Sequence, residues 1–226
     1  MAFFEPSEML KEADLLISDK KYEEARELLE EIRVKDASRK YATIARLRIA
    51  DTFFEDESYE EAGVEYESFL NLNTRHRYAS YAQFKLAMCY FKRIKSVDVS
   101  YSWAKKALNE FEKLQQNHPR NPYLDTVDER INVCKRILAE FELYVGRFYF
   151  KKGSFNAAVL RLNNILQTYP DSDKEPDALY YIGISYKNLG EQDKAVAALN
   201  SLIEKYPAMK ISGKAKEVLA SILESK

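Results

Sequence analysis

A chain of 226 residues, 46% hydrophobic and 31% charged, can fill a sizeable core and still solvate its surface. Its 35 Lys and Arg stand against 36 Asp and Glu, and the net charge of -1 argues against nonspecific nucleic-acid binding, which draws its affinity from neutralised phosphates. The 6 Gly and 6 Pro leave little material for long linkers, and no apolar run approaches the ~18 residues that cross a bilayer.

The start, Met1-Ala2-Phe3-Phe4-Glu5-Pro6, is too short and acidic for a secretion signal. That leaves a cytoplasmic protein or a targeting segment upstream of this sequence. A helical pattern follows, with Ala13 and Leu16 on one face, and then a unit that recurs along the chain. Tyr22–Ala25, Tyr59–Ala62, Tyr101–Ala104, Phe155–Ala158 and Gln192–Ala195 each set a residue three positions before a small alanine. Four and seven residues after each alanine come Leu29 and Ile32, Tyr66 and Phe69, Leu108 and Phe111, Leu162 and Ile165, Leu199 and Leu202. The alanines lie 37, 42, 54 and 37 residues apart, a period that signals stacked helical hairpins.

The last two units carry the pattern of the tetratricopeptide repeat, with small residues where two helices touch and a proline closing the unit. They read Gly146, Tyr149, Ala158, Leu162, Ile165 and Tyr169-Pro170, then Gly183, Tyr186, Ala195, Leu199, Leu202 and Tyr206-Pro207. Earlier units are looser: Ala50 and Phe53 precede Ala62, and Ala87 and Tyr90 precede Ala104 with about five extra residues around Lys95–Ser100. The fold expected is all-α, a tetratricopeptide solenoid over 1–226 with five helical pairs and a C-terminal capping helix at Ile211–Leu223.

The 54-residue interval holds the exception. After His118-Pro119-Arg120-Asn121-Pro122, apolar residues at Val127, Ile131, Cys134, Leu138, Phe141, Val145 and Phe148 predict one helix over 124–152, about 43 Å long. It is expected to join a block of repeats one to three (6–119) rigidly to a block of repeats four and five with the cap (139–226).

In such stacks the first helix of each pair lines the concave face. Counting from the small residue places Ile44, Leu47, Asp51 and Phe54 there in repeat two, and Tyr81, Phe84, Met88 and Phe91 in repeat three. Neighbouring repeats could bury any one of these, but the set is expected to leave a partly exposed apolar patch of the kind that binds a partner. The equivalent C-terminal positions, Arg147, Phe150, Tyr180, Ile184 and Lys187, are more basic, so the two halves are expected to serve different partners. Arg147, Lys151 and Lys152 form a local basic cluster that reads first as a solvated helix face.

Catalytic constellations are missing from the sequence. His76 and His118 lie beside helix starts, and no GxSxG, GxxxxGK, HExxH or paired CxxC occurs. Cys89 and Cys134 read as small apolar packing residues, as does Trp103 beside Ala104. Acidic runs such as Glu55-Asp56-Glu57 fall at helix junctions, where carboxylates suit helix N-termini. The chain is expected to be no enzyme and to need no cofactor or metal.

The stretch 141–161, FELYVGRFYFKKGSFNAAVLR, resembles the BamD family of outer-membrane-protein assembly lipoproteins. So do Tyr169-Pro170-Asp171, Asp177-Ala178-Leu179, Tyr186-Lys187-Asn188-Leu189-Gly190 and the opening Lys21-Tyr22-Glu23-Glu24-Ala25. The resemblance implies a periplasmic scaffold on the inner face of an outer membrane. Its N-terminal repeats would receive the C-terminal targeting segment of an unfolded barrel protein, and its C-terminal repeats would dock on the insertase BamA. By motif position Arg161 corresponds to the family's docking arginine, with Arg147 and Lys151 nearby. Other assembly lipoproteins would be further partners, and nucleic acid none. The family is anchored by a lipid on a cysteine that follows a signal peptide; neither occurs in this sequence, so membrane contact is expected through an N-terminal lipid absent from this chain. The alternative left open is a tetratricopeptide adaptor of another envelope complex, for cell division, peptidoglycan synthesis or pilus assembly. A carbohydrate-modifying enzyme would need two facing carboxylates, and the sequence offers no such pair.

Overall fold

The computed structural model describes residues 5–95 and 97–224, with backbone alone for 97–100. Met1–Phe4 of the chain start and Ser96 of the Lys95–Ser100 insertion lie outside the described residues. The chain is all-α. The five pairs are α1 (Pro6–Ser18) with α2 (Tyr22–Lys35), α3 (Lys40–Glu55) with α4 (Tyr59–Leu72), α5 (Ala79–Lys92) with α6 (Val97–Asn117), α7 (Leu124–Lys151) with α8 (Phe155–Thr168), and α9 (Glu175–Asn188) with α10 (Gln192–Lys205). A final helix, α11 (Lys210–Leu223), packs on α9 and α10 as the cap.

The repeated alanines explain the pairing. Ala25, Ala62, Ala104, Ala158 and Ala195 are all fully buried, because only a methyl group fits where two helices of a repeat meet. The residues four and seven positions on fill the layer beneath: Leu29, Tyr66, Leu162 and Leu199, with Ile32, Phe69, Phe111, Ile165 and Leu202, have no exposed surface. Burying each aliphatic side chain stabilises the fold by about 1.5–3 kcal/mol. Leu108, the fifteenth position of this pattern, is half-buried. The second helices of repeats four and five stop at Tyr169 and Tyr206, whose amides donate to the carbonyls of Ile165 and Leu202, and the prolines that follow cannot extend the ladder.

In four repeats the turn between paired helices has a left-handed residue two positions before the second helix. Gly153 and Gly190 hold it at φ 75° and 77°; Lys20 and Glu57 hold it at φ 60° and 59° in the first two repeats. Between repeats, Arg39 and Asp171 adopt φ 61°.

The chain forms two compact units, Met1–Ile131 and Asn132–Lys226, with the division inside the 28-residue helix α7. The apolar series along α7 is buried at Val127, Ile131, Cys134 and Leu138, half-buried at Phe141 and Val145, and open at Phe148, which is 51% exposed. A series spaced by fours and threes averages 3.5 residues, whereas the helix turns every 3.6, so the stripe drifts by roughly 20° per heptad. By the end of α7 the buried positions are Glu142, Leu143 and Gly146 instead.

Candidate functional site: a polar-floored aromatic face and a basic aromatic cleft

In the first unit, Asp51 of α3 is 7% exposed and gathers the surrounding polar groups. Its Oδ1 accepts hydrogen bonds from the hydroxyls of Tyr66 (2.6 Å) and Tyr81 (2.7 Å), and its Oδ2 lies 3.5 Å from Arg48 Nη1. Burial pushes the Asp51 carboxyl above the usual carboxylate range, against the pull of both tyrosines and of the Arg48 and Lys85 charges. Burial and the Asp51 charge in turn push the Tyr66 and Tyr81 hydroxyls far up. Lys85 of α5 lies 3.7 Å from the centre of the Phe54 ring and pairs with Glu55 at 3.3 Å.

This arrangement corrects part of the expected groove. Leu47 is 5% exposed and packs in a core with Ala62, Tyr66 and Leu86. Asp51 is committed to its tyrosines, so neither offers surface to a ligand. Phe84 stacks on Tyr123 at 4.3 Å between ring centres, and both Phe84 and Phe91 lean on Phe111. Arg130 of α7 covers the Phe91 ring at 5.0 Å. These two phenylalanines serve packing first. Ile44, Phe54, Tyr81 and Met88 are half-buried and complete the face.

In the second unit, Arg147 and Lys151 come together on α7. With Glu140, Leu143, Tyr144 and Phe148 they line an open cleft of about 410 Å³. Tyr144 and Phe148, one helical turn apart, are 61% and 51% exposed. The Arg147 guanidinium also lies over the Tyr181 ring, 5.4 Å from its centre. Sequence reasoning passed over Tyr144 and assigned Phe148 to the core; the sign available was two aromatics four residues apart on a face otherwise bearing Glu140, Arg147 and Lys151.

Arg161 stands apart from that cleft, on α8. Its Nη1 lies 3.5 Å from Oε2 of Glu142, a carboxylate with 1% of its side chain exposed. Gly146, one turn further along α7, faces Leu162 so closely that a β-carbon there would lie 2.6 Å from Leu162 Cδ2. Arg161 therefore already has a carboxylate partner inside its own repeat.

The cysteines are buried and form no disulfide, and burial pushes the Cys89 thiol up to about 12. Trp103 stacks on Tyr90 and carries the Arg93 guanidinium 3.6 Å above its ring. Among the described residues no cluster of His, Cys, Asp and Glu could hold a metal, and no helix is long and apolar enough to cross a membrane.

Paired antiparallel helices with alanine and glycine contacts, repeated five times and capped, define a tetratricopeptide-repeat protein. A TPR repeats protein from Bacteroides fragilis shares that fold, with a TM-score of 0.51 at 15% identity over 99% of this chain and 100% of its own. The chain belongs to the outer-membrane lipoprotein family YfiO, whose profile matches residues 4–198. Two curated relatives carry the name "Outer membrane protein assembly factor BamD". The one from Vibrio cholerae is 35% identical over 69 residues, and the one from Pasteurella multocida 34% identical over 87. These matches cover 30% and 38% of this chain, and 29% and 34% of the relatives' own lengths.

Proposed function

We propose that this chain is a non-enzymatic scaffold of the machinery that assembles β-barrel proteins into the outer membrane, working on the membrane's periplasmic face. The observation that carries this reading is membership of the outer-membrane lipoprotein family over 4–198. The assembly-factor name of the Vibrio and Pasteurella relatives supports it.

In this reading the first unit receives the C-terminal targeting segment of an unfolded barrel protein. An extended segment would lay alternate apolar side chains against Ile44, Phe54, Tyr81 and Met88. The second unit docks on BamA. Tyr144 and Phe148 supply apolar contact area and Arg147 and Lys151 supply charge, a combination that suits binding hot spots. Arg161 contributes by sharing its half-exposed guanidinium between Glu142 and a carboxylate of the partner. Other assembly lipoproteins join the same scaffold, and an N-terminal lipid holds it to the membrane.

The test is peptide binding by fluorescence anisotropy with the full chain. Ile44→Lys and Met88→Lys alter half-buried side chains, from which a lysine can extend its ammonium into solvent, so folding should survive. Each should weaken binding of a barrel C-terminal peptide at least about tenfold, or ~1.4 kcal/mol. Unchanged binding in variants with native circular dichroism would remove this face from the substrate site.

A further inference from the structure

The first unit is electrically polarised between its two edges. Antiparallel pairing brings the starts of α1, α3, α5 and α7 to one edge, together with the ends of α2, α4 and α6. The turns on this edge carry Arg39, Lys40, Arg75, Arg77 and Arg120, all exposed. Among the described residues none of the five pairs with a carboxylate. Lys40 and Arg77 instead lie over the rings of Tyr41 and Tyr78, at 5.0 and 4.6 Å from the ring centres. The one acid in the α2–α3 turn, Asp36, is turned inward and accepts hydrogen bonds from Ser38 and from the amides of Tyr41 and Ala42. Acids predominate on the opposite edge, with Glu23 and Glu24 opening α2 and Glu60 and Glu61 opening α4, beside Lys20, Lys21 and Arg93; on the basic edge Glu8 of α1 and Asp125 of α7 are the first-turn acids.

Helix stability explains only part of the basic edge, since cations suit the ends of α2, α4 and α6 but not the starts of α3 and α5. The positive end of the helix dipole favours anions at N-termini, as α2 and α4 show. The first turns of α3 and α5 hold no acid, and Lys40 and Arg77 stand where the dipole disfavours a cation. Beside these cations, Val34 is 78% exposed and Leu72 67%, and both line a cleft of about 560 Å³ with Arg39, Arg46, the inward-turned Asp36 and Arg33, which pairs with Glu30 and Glu65. Cations around protruding aliphatic side chains match a phospholipid surface, whose phosphates attract the charge and whose headgroup region accepts the apolar tips.

We propose that this edge of the first unit lies on an anionic phospholipid surface. The proposal rests on the membrane-face location proposed above, and it adds an orientation: the start of α1 lies on the same edge, so a lipid tether at that end and the basic turns would act on one plane. Each cation at the surface strengthens partition about fivefold, and the contribution fades beyond the Debye length of ~10 Å at 0.1 M salt.

The experiment is co-sedimentation of the full unlipidated chain with vesicles of phosphatidylethanolamine and phosphatidylglycerol, against phosphatidylcholine, at low and at 0.3 M salt. The parent should bind the anionic vesicles, release in salt and ignore phosphatidylcholine. Combined Arg39→Asn, Arg75→Gln, Arg77→Gln and Arg120→Gln should cost at least about a hundredfold in partition. A second variant removes four cations elsewhere, by Lys92→Gln, Lys210→Gln, Lys214→Gln and Lys216→Gln, and should stay within about threefold of the parent. Two results would overturn the proposal: no parental binding to the anionic vesicles, or equal loss in both variants. Docking on BamA's periplasmic domains is measured in parallel on the arginine-edge variant. Retained docking with lost vesicle binding supports the proposal, and parental vesicle binding through this edge without docking would instead count against the assembly reading.

Discussion

Gly146 and Leu162 meet where no β-carbon fits. One added to Gly146 would lie 2.6 Å from Leu162 Cδ2, and Gly183 repeats the relationship with Leu199 Cδ2 at 2.7 Å. Gly146→Ala would gain about 1 kcal/mol of helix propensity but add an overpacking cost of about 1–3 kcal/mol, so a net loss of up to ~2 kcal/mol is expected. Leu162→Ala alone should cost about 2–5 kcal/mol, and the double variant clearly less than the sum, because the new methyl occupies part of the cavity. Denaturant unfolding of the four proteins measures the coupling; strict additivity would contradict the close contact. Gly63 is the contrast. A β-carbon there would meet Cys89 Cβ at 3.8 Å, ordinary contact, so Gly63→Ala should stabilise by about 0.4–1 kcal/mol.

Asp51 should make stability depend on pH in a direction opposite to an ordinary salt-bridged carboxylate. Burial raises its folded pKa above the ordinary 3.8, so the folded state binds its proton more tightly than the unfolded state does. That contribution is present below the unfolded value and is lost as pH rises through the raised folded value. Asp51→Asn removes the titration, so the stability of the variant relative to the parent should rise as the pH is raised above about 4. Chemical denaturation at several pH values reads the difference directly; a pH-independent difference would refute it. Tyr66→Phe, which deletes one donor to the carboxylate, should cost about 1.5–3 kcal/mol at neutral pH.

Arg161 has a structural duty that any docking experiment must separate. Its side chain is 45% exposed while Glu142 is 1% exposed, so solvent screens the pair from one side. Arg161→Ala should cost about 1–2 kcal/mol, below the 3–5 kcal/mol typical of a fully buried pair. Arg161→Glu would set a second carboxylate beside buried Glu142 and destabilise the repeat, making it a poor probe. Arg161→Gln with Glu142→Gln removes both charges; its thermal midpoint should lie nearer the parent than that of Arg161→Gln alone. If that double variant also keeps full affinity for BamA's periplasmic domains, Arg161 has no docking role.

Tyr144 and Phe148 are expected to separate binding from folding. Both are more than half exposed, so alanine at either position should change stability by no more than about 0.5 kcal/mol. Docking should weaken by about 1–2 kcal/mol for each, read by titration calorimetry with the same domains. Equal losses of stability and docking would assign these rings to packing.

The repeat architecture was legible because its signal is steric and local. An alanine or glycine with leucine four residues beyond the contact is required wherever two helices cross closely, and Ala158, Leu162, Ala195 and Leu199 all obey it. The candidate surfaces were less legible, since exposure depends on neighbours distant in sequence. Phe84 looks like groove surface until Tyr123, 39 positions away, is stacked upon it. Phe148 looks like core because its spacing continues the series from Val127, and the drift of that series shows once the helix is built. Asp51 gave no sign in sequence that two tyrosine hydroxyls would converge on one of its oxygens.

The left-handed bends have a consequence for how such a surface can be written. One backbone geometry, two residues before the second helix of a pair, is held by Lys20, by Glu57 and by glycine at 153 and 190. Lys20 and Glu57 place opposite charges in the same bend. The bends thus act as interchangeable sockets, in which mutation can redraw the electrostatic face of each edge while the stacked alanines beneath keep the scaffold unchanged.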